Sequence, residues 1–408
     1  MNRVVVTGMG IVSPLGNDVG NFWHSLINGK CGIDFIKRFD TSGAKVKIAA
    51  EVKDFDPYAC LERNEVRKMD LFCQYAVYAA CQAVADSRIS DSIQPERFGV
   101  YVGSGVGGIR TFMDECDKLS KGGERKISPF FIPMMIANIA AGSIAIKFNA
   151  QGPCLPVVTA CATSTHSIGE AFRAIKHGYA DAILAGGTDA AINPLSLGGF
   201  TNCMALSTRN IPAESSIPFD KRRDGFVIGE GAGILVLEEL EHARRRGAKI
   251  YAELSGYGNT CDAYHMTAPR PAATGAARAI SLAIEEAGMT GETEIYINAH
   301  GTGTPLNDSA ETLAFKTALG SNAYSVSISS TKSMTGHMLG AAGAAEAIAA
   351  VMALRESVIP PTIGYREKDE SCDLDYTPGS AKSRPINLAL SDSLGFGGHN
   401  ACVAFTKY

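Results

Sequence analysis

The chain has 408 residues, 46% of them apolar and 20% charged, a balance that can bury a large core and excludes a disordered polymer. Lys plus Arg total 38 against 42 Asp plus Glu, so the net charge is −4 and no global basic excess points to nucleic acid or an anionic membrane surface. The 11 cysteines form no CxxC pair, which excludes a disulfide scaffold or zinc ribbon and fits a reducing cytoplasm.

In chain order, a β-branched strand over 3–7 runs into Gly8-Met9-Gly10. This start lacks the apolar core and cleavage site of a signal peptide. The longest apolar run, 132–146, is broken by Pro133, Asn138 and Ser143, short of the roughly 18 residues of a membrane span. Further strands are expected at 98–102, ending in GSGVGG; at 155–159, leading into Cys161; and at 182–185, ending in GGTD. Two more, 294–299 and 325–329, lead into His300 and Lys332. Helical patterns alternate with these strands, which argues for an α/β fold. The runs 233–240 and 400–406 follow Gly-rich turns, so part of the sheet is expected to be antiparallel.

A faint repeat places VTGMG (6–10) over LSGYG (254–258), and TACATSTHSIGEA (159–171) over STKSMTGHMLGAA (330–342). The second match sets His166 on His337 and Cys161 on Lys332. With no Pro- or Ser-rich linker between them, two similar halves, 1–250 and 251–408, are expected to fuse into one compact unit.

Cys161 is the strongest local signal. It stands between an expected strand end and a helix whose one face carries Ile168, Ala171, Phe172 and Ile175, closed by Gly178. The positive end of that helix favours thiolate; the alternative is a buried, inert cysteine. A thiol nucleophile needs a base or charge partner. Of the eight histidines, His300 and His337 stand near strand ends, where α/β sites collect, whereas His24, His177 and His242 lie in polar helical contexts. Glu346, inside AAGAAEAIAAVMAL, needs a partner; Lys332 or a bound cation could supply one, as a core ion pair or in catalysis. GFGG (395–398) is either a gate and oxyanion-donor loop around Phe396 or an ordinary tight turn.

GSGVGG (103–108) fits GxGxxG after a strand, but the next twenty residues bring no second strand ending in an acidic residue, so a nucleotide cofactor is rejected. Lys121, Arg125 and Lys126 form one basic cluster, and Arg67 with Lys68 another; each is either a solvated face or a dock for an acidic partner.

Taken together, TACATSTHSIGEA, PFDKRRDGFVIGEGAG, NAHGTGTP, TKSMTGHMLGAAG and GFGGHN resemble the β-ketoacyl-acyl-carrier-protein synthases, the elongating condensing enzymes of fatty-acid synthesis, over essentially the full length. The Cys–His–His set separates elongating members from initiating synthases, which carry Asn for the second His, and from thiolases, which use a second cysteine. CDAYHMTAP and ERNEVRKMD are most similar to the type II elongating group. The resemblance implies the thiolase fold, two βαβαβαββ halves in α-β-α-β-α layers, in a cytoplasmic homodimer.

The resemblance also implies roles. Cys161 matches the acyl-accepting nucleophile, and His300 and His337 match the pair that assists malonyl decarboxylation. Lys332 matches the lysine holding the histidine and Glu346 network. Phe396 matches the gate, and its N–H with that of Cys161 the oxyanion hole, in a loop continued by Gly397 and Gly398. Thr302 and Thr304 match pantetheine contacts, Val106 and Phe200 acyl-pocket positions, and Asn298, Glu346 and Ser391 a structural monovalent-cation site of some members. His399 stands beside the gate where many members have Thr. The partner implied is an acidic acyl carrier protein, which gives Arg67, Lys68, Arg125 and Lys126 a docking role. No catalytic metal or redox cofactor is expected. The competing readings are a type I elongating synthase, a polyketide ketosynthase, a malonyl decarboxylase and a non-catalytic chain-length partner, which would lack the cysteine.

Overall fold

The computed structural model describes residues 1–288 and 294–408. Ten strands form one mixed sheet: β1 (Val4–Val12), β2 (Phe98–Gly103), β3 (Cys154–Leu155), β4 (Ala182–Asp189), β5 (Gly231–Glu239), β6 (Ala252–Cys261), β7 (Ile295–Asn298), β8 (Ser327–Ser329), β9 (Leu388–Gly395) and β10 (His399–Thr406). Their spatial order is β8-β7-β9-β10-β6-β1-β5-β4-β2-β3. From the β1–β6 seam outward, each strand of the first five therefore has its counterpart five strands later. The directions match as well: β4 is parallel to β2 and antiparallel to β5, as β9 is to β7 and β10. The seam itself is short, Val4–Val6 against Ala252–Leu254.

Four helices make the layers. α1 (Leu71–Ser87) covers β1, β4 and β5, and α3 (Thr274–Ala287) covers β6 and β10. Between the halves lie α2 (Thr163–Lys176) and α4 (Ala342–Glu356), which pack on each other and on strands of both halves. The α-β-α-β-α arrangement expected from the resemblance is thus present. α4 can occupy the middle because its alanines favour helix and let both halves of the sheet approach; every residue from Ala342 to Leu354 is buried. The Ile168, Ala171, Phe172 and Ile175 face of α2 is buried too, and Gly178 follows its C-terminus at φ +81°.

The glycine repeat has a packing cause. Cβ atoms on Gly8 and Gly10 of β1 would collide with the Ala83 and Ala79 carbonyls of α1; those on Gly256 and Gly258 of β6 would collide with Ala283 and Ala279 of α3. Both outer helices therefore lie directly on the strand backbone. The second repeat holds only in topology. It would start the helix after β8 at Met334, but the chain makes a short turn over Lys332–Thr335 and α4 begins at Ala342.

Several expected strands extend further. β1 continues through its glycines and β4 through GGTD to Asp189, whereas β3 is shorter than predicted and ends at Leu155. Cys60 and Cys81 are joined as a disulfide, a pairing that no spacing signal had marked; the other nine cysteines are free. Among the described residues no helix is long and apolar enough to cross a membrane.

Gly258→Ala is expected to cost about 1–3 kcal/mol by overpacking, read as a lower thermal midpoint, whereas Gly43→Ala, with nothing within 4 Å of the added carbon, should leave it unchanged.

Candidate active site

Beyond β3 the chain reaches Ala160 at φ +51°, a left-handed conformation unfavourable for a residue with a Cβ. A single 3-10 turn over Ala160–Ala162 then leads directly into α2. Cys161 is held in this bend, its sulfur facing the Phe396 backbone N–H. The helix-dipole argument predicted thiolate; burial outweighs it. Desolvation pushes the thiol up to about 12, against the pull of Lys332 and the Phe396 N–H.

His300 follows β7 and His337 precedes α4, each about 2% exposed. Their rings meet edge to face with centroids 5.4 Å apart. The His337 backbone is clamped by its N–H to Val227 O and by the Gly229 N–H to its own carbonyl, both 2.7 Å. Its ring packs edge-on to Phe226, and among the described residues neither ring nitrogen has a hydrogen-bond partner. Lys332 is buried, forms a short ion pair with Glu346, and directs Nζ at His300 Nδ1 at 3.4 Å. An ammonium only donates, so His300 Nδ1 accepts and the ring proton resides on Nε2. Burial first, and then the Lys332 charge, hold both imidazoles well below the usual histidine range, so they are neutral bases.

A cavity of about 260 Å³ brings together Cys161, His300, His337, Phe396, Thr302 and Thr304. Phe200 and Gly398 also line it; Val106, Gly397 and His399 do not. The two threonine hydroxyls are 3.0 Å apart. Gly397 and Gly398 lie at φ +91° and +78°, a turn that needs glycine, and the Gly397 N–H donates to Met266 O at 2.7 Å. His399 instead packs behind this turn, 6.1 Å from the His166 ring. Arg67, Lys68, Arg125 and Lys126 are exposed, and Lys68 Nζ lies 5.2 Å over the Phe130 ring.

Buried near the histidines are polar side chains of which the sequence reading collected Asn298, Glu346 and Ser391 but not Glu311 and Asp392. Glu311 Oε2 accepts the Gly301 N–H at 2.8 Å, and Asp392 faces the Glu311 carboxyl and the His300 backbone; among the described residues Glu346 Oε2 and Ser391 Oγ have no hydrogen-bond partner. Burial, with Asp392 and Asp308 beside it, pushes Glu311 up, and burial pushes Asp392 up to about 7. Among the described residues no group of three or more His, Cys, Asp or Glu side chains is arranged to hold a metal ion. Asp392 carries the same signal that singled out Glu346, a carboxylate in an apolar run, but the neighbouring GFGG obscures it.

Two family models match: the N-terminal domain of β-ketoacyl synthases over residues 1–243 and their C-terminal domain over 251–366. A 3-oxoacyl-[acyl-carrier-protein] synthase 2 of Synechocystis is 52% identical over 100% of this chain and 98% of its own length. Another from Coxiella burnetii is 50% identical, covering 99% and 98%. The fold is also similar to a ketosynthase solved with its type II polyketide acyl-carrier protein: TM-score 0.92, 36% identity, 100% and 99% covered.

Because its thiol sits high, Cys161 should react with iodoacetamide about tenfold faster per pH unit across pH 7–9, without levelling off. Lys332→Met should slow it further. A plateau below pH 9 would contradict the burial argument.

Proposed function

This chain belongs to the β-ketoacyl synthase family, and on that premise we propose that it elongates fatty-acyl chains as a type II synthase, by decarboxylative Claisen condensation. The observation that carries the reading is the convergence of Cys161, His300 and His337 on one cavity.

In this reading the Cys161 thiol passes its proton to a neutral imidazole and attacks the thioester of an acyl carrier protein, giving an acyl-Cys161 and the free carrier thiol. His337, with two unpartnered nitrogens, is the candidate acceptor. Malonyl-carrier-protein then loses CO2, and the resulting enolate oxygen is stabilised by His300 Nε2–H and His337. Donors of this kind are each worth about 10²–10³ in rate in a dry site. The carbanion attacks the acyl-Cys161 carbonyl, whose developing oxyanion meets the Cys161 and Phe396 N–H groups, and collapse releases the thiolate and the β-ketoacyl product. Lys332 orients His300 and, through its charge, keeps both rings neutral. Thr302 and Thr304 would steady the pantetheine arm in the cavity wall.

The carrier protein would dock on the exposed face of Arg67, Lys68, Arg125 and Lys126, whose charges suit an acidic partner. The relative solved with a carrier protein supports this choice of partner. A homodimer would bury the open edge of β3, where Ile146, Leu155 and Val158 are exposed. We place the enzyme in the cytoplasm and divide it functionally at about residue 250. A cation held by Asn298, Glu346 and Ser391 would serve structure, not chemistry. The type I, polyketide and non-catalytic readings are less well supported: the curated relatives at 50–52% identity are named type 2 synthases, and the nucleophile is present.

Dodecanoyl-carrier-protein should add one acyl mass to the wild type and none to Cys161→Ala, and malonyl-carrier-protein should discharge it as β-ketoacyl product. Equal labelling of the variant would overturn the assignment. Arg67→Glu with Lys68→Glu should raise KM for the carrier-bound substrate about tenfold, chiefly at low salt, with kcat little changed.

A further inference from the structure

Beside the Phe396 turn stands a second thiol that the condensing chemistry does not use. Cys261, exposed at the end of β6, directs its Sγ–H to the Gly397 carbonyl at 3.8 Å and accepts the Ala263 N–H at 3.4 Å. Directly across the ladder, β10 begins with His399, the register partner of Cys261. Facing residues of an antiparallel pair project from the same side of the sheet. The His399 ring reaches the same glycine: a Cβ on Gly397 would stand 3.1 Å from His399 Nε2. A thiol and an imidazole therefore both lie against one exposed glycine.

His399 is half-buried, and among the described residues its ring nitrogens make no hydrogen bond. The neighbouring His166, by contrast, engages Nδ1 with the Thr159 hydroxyl and Nε2 with Asn259. A free imidazole beside a thiol can take its proton, the step that makes a cysteine a nucleophile. Of the other exposed cysteines, Cys154 pairs with Val100, and Cys116 and Cys203 lie outside the sheet. Burial keeps Cys161 protonated, so it does not compete.

Gly397 also connects this pair to the reaction centre. It follows Phe396, which lines the cavity and whose N–H faces the Cys161 sulfur. The turn is tied by the Gly397 N–H to Met266 O and by the Gly398 carbonyl to the Asp262 N–H, the residue after Cys261. Any group joined to Cys261 Sγ must displace its contact with the Gly397 carbonyl.

We infer that Cys261 and His399 form a modification site for small disulfides, and that an adduct there shifts the Phe396 turn and shuts the Cys161 site. His399 takes the Cys261 proton, and the thiolate attacks one sulfur of a disulfide RS–SR. The RS–SR bond breaks as the Cys261 S–SR bond forms; RS⁻ leaves and takes the proton from His399 as RSH. An added dithiol reverses the exchange. Formation of the adduct is independent of the condensing reading; only its effect on acyl transfer rests on it.

The test treats wild type, Cys261→Ser, Cys203→Ser and His399→Gln, each checked for fold by circular dichroism, with oxidised glutathione. Peptide mass mapping times the adduct at every cysteine, and transfer from dodecanoyl-carrier-protein to Cys161 is measured before and after. In the wild type, Cys261 should gain one glutathione about tenfold faster than Cys116 in the same sample, an advantage that His399→Gln should remove. Transfer by the wild type and by Cys203→Ser should fall about tenfold and return with dithiothreitol, whereas Cys261→Ser should keep its rate. Labelling of Cys261 no faster than Cys116 would overturn the site, and this comparison needs no variant. A complete Cys261 adduct with unchanged transfer would overturn its hold on the turn, as would equal inhibition of Cys261→Ser. Absence of acyl transfer in the untreated wild type would instead defeat the condensing reading, and the mapping would still decide the site.

Discussion

The buried ion pair of Lys332 and Glu346 is the constraint on which the site depends. Both side chains are out of water, where each charge alone would be prohibitive, and removing one partner of such a pair typically costs about 3–5 kcal/mol. The position of the pair matters more than its stability. The single ammonium faces His300 and Cys161 at once, lowering the affinity of the imidazoles for protons and easing ionisation of the thiol. The resting site thus sets two neutral histidines beside a protonated thiol.

The fold exists to hold that pair dry. The turn leading into α2 brings Cys161 from one half and α4 brings Glu346 from the other, and the two helices pack together between the halves of the sheet. The duplicated strand order explains how one small seam can organise so large a sheet: each half presents the same edge, β1 or β6, with its outer helix laid on glycines. The nucleophile turn and the histidine turn then open onto one cavity.

Much of this was legible in the sequence because local rules acted alone. Cys161 between an apolar run and a helical face, Glu346 among alanines, and the paired glycines of 6–10 and 254–258 were each visible in local pattern, although Cys161 and Glu346 each left two roles open. What was not legible depended on tertiary context. The thiolate expected from the helix end is opposed by desolvation, which no spacing reveals. GSGVGG looked like a phosphate loop because its backbone is an anion cradle; the anion, Asp189, comes from a strand more than eighty residues later. The Cys60–Cys81 pairing and the slip that delays α4 to Ala342 depend equally on distant packing.

The central claim is that His300 and His337 are neutral because of burial and the Lys332 charge. Nitrogen NMR of the imidazoles, with His300→Asn and His337→Asn for assignment, tests it directly. The account predicts that both rings remain neutral as pH falls through 6.5, with the His300 proton on Nε2. Protonation of either ring with a midpoint near 6.5 would contradict it.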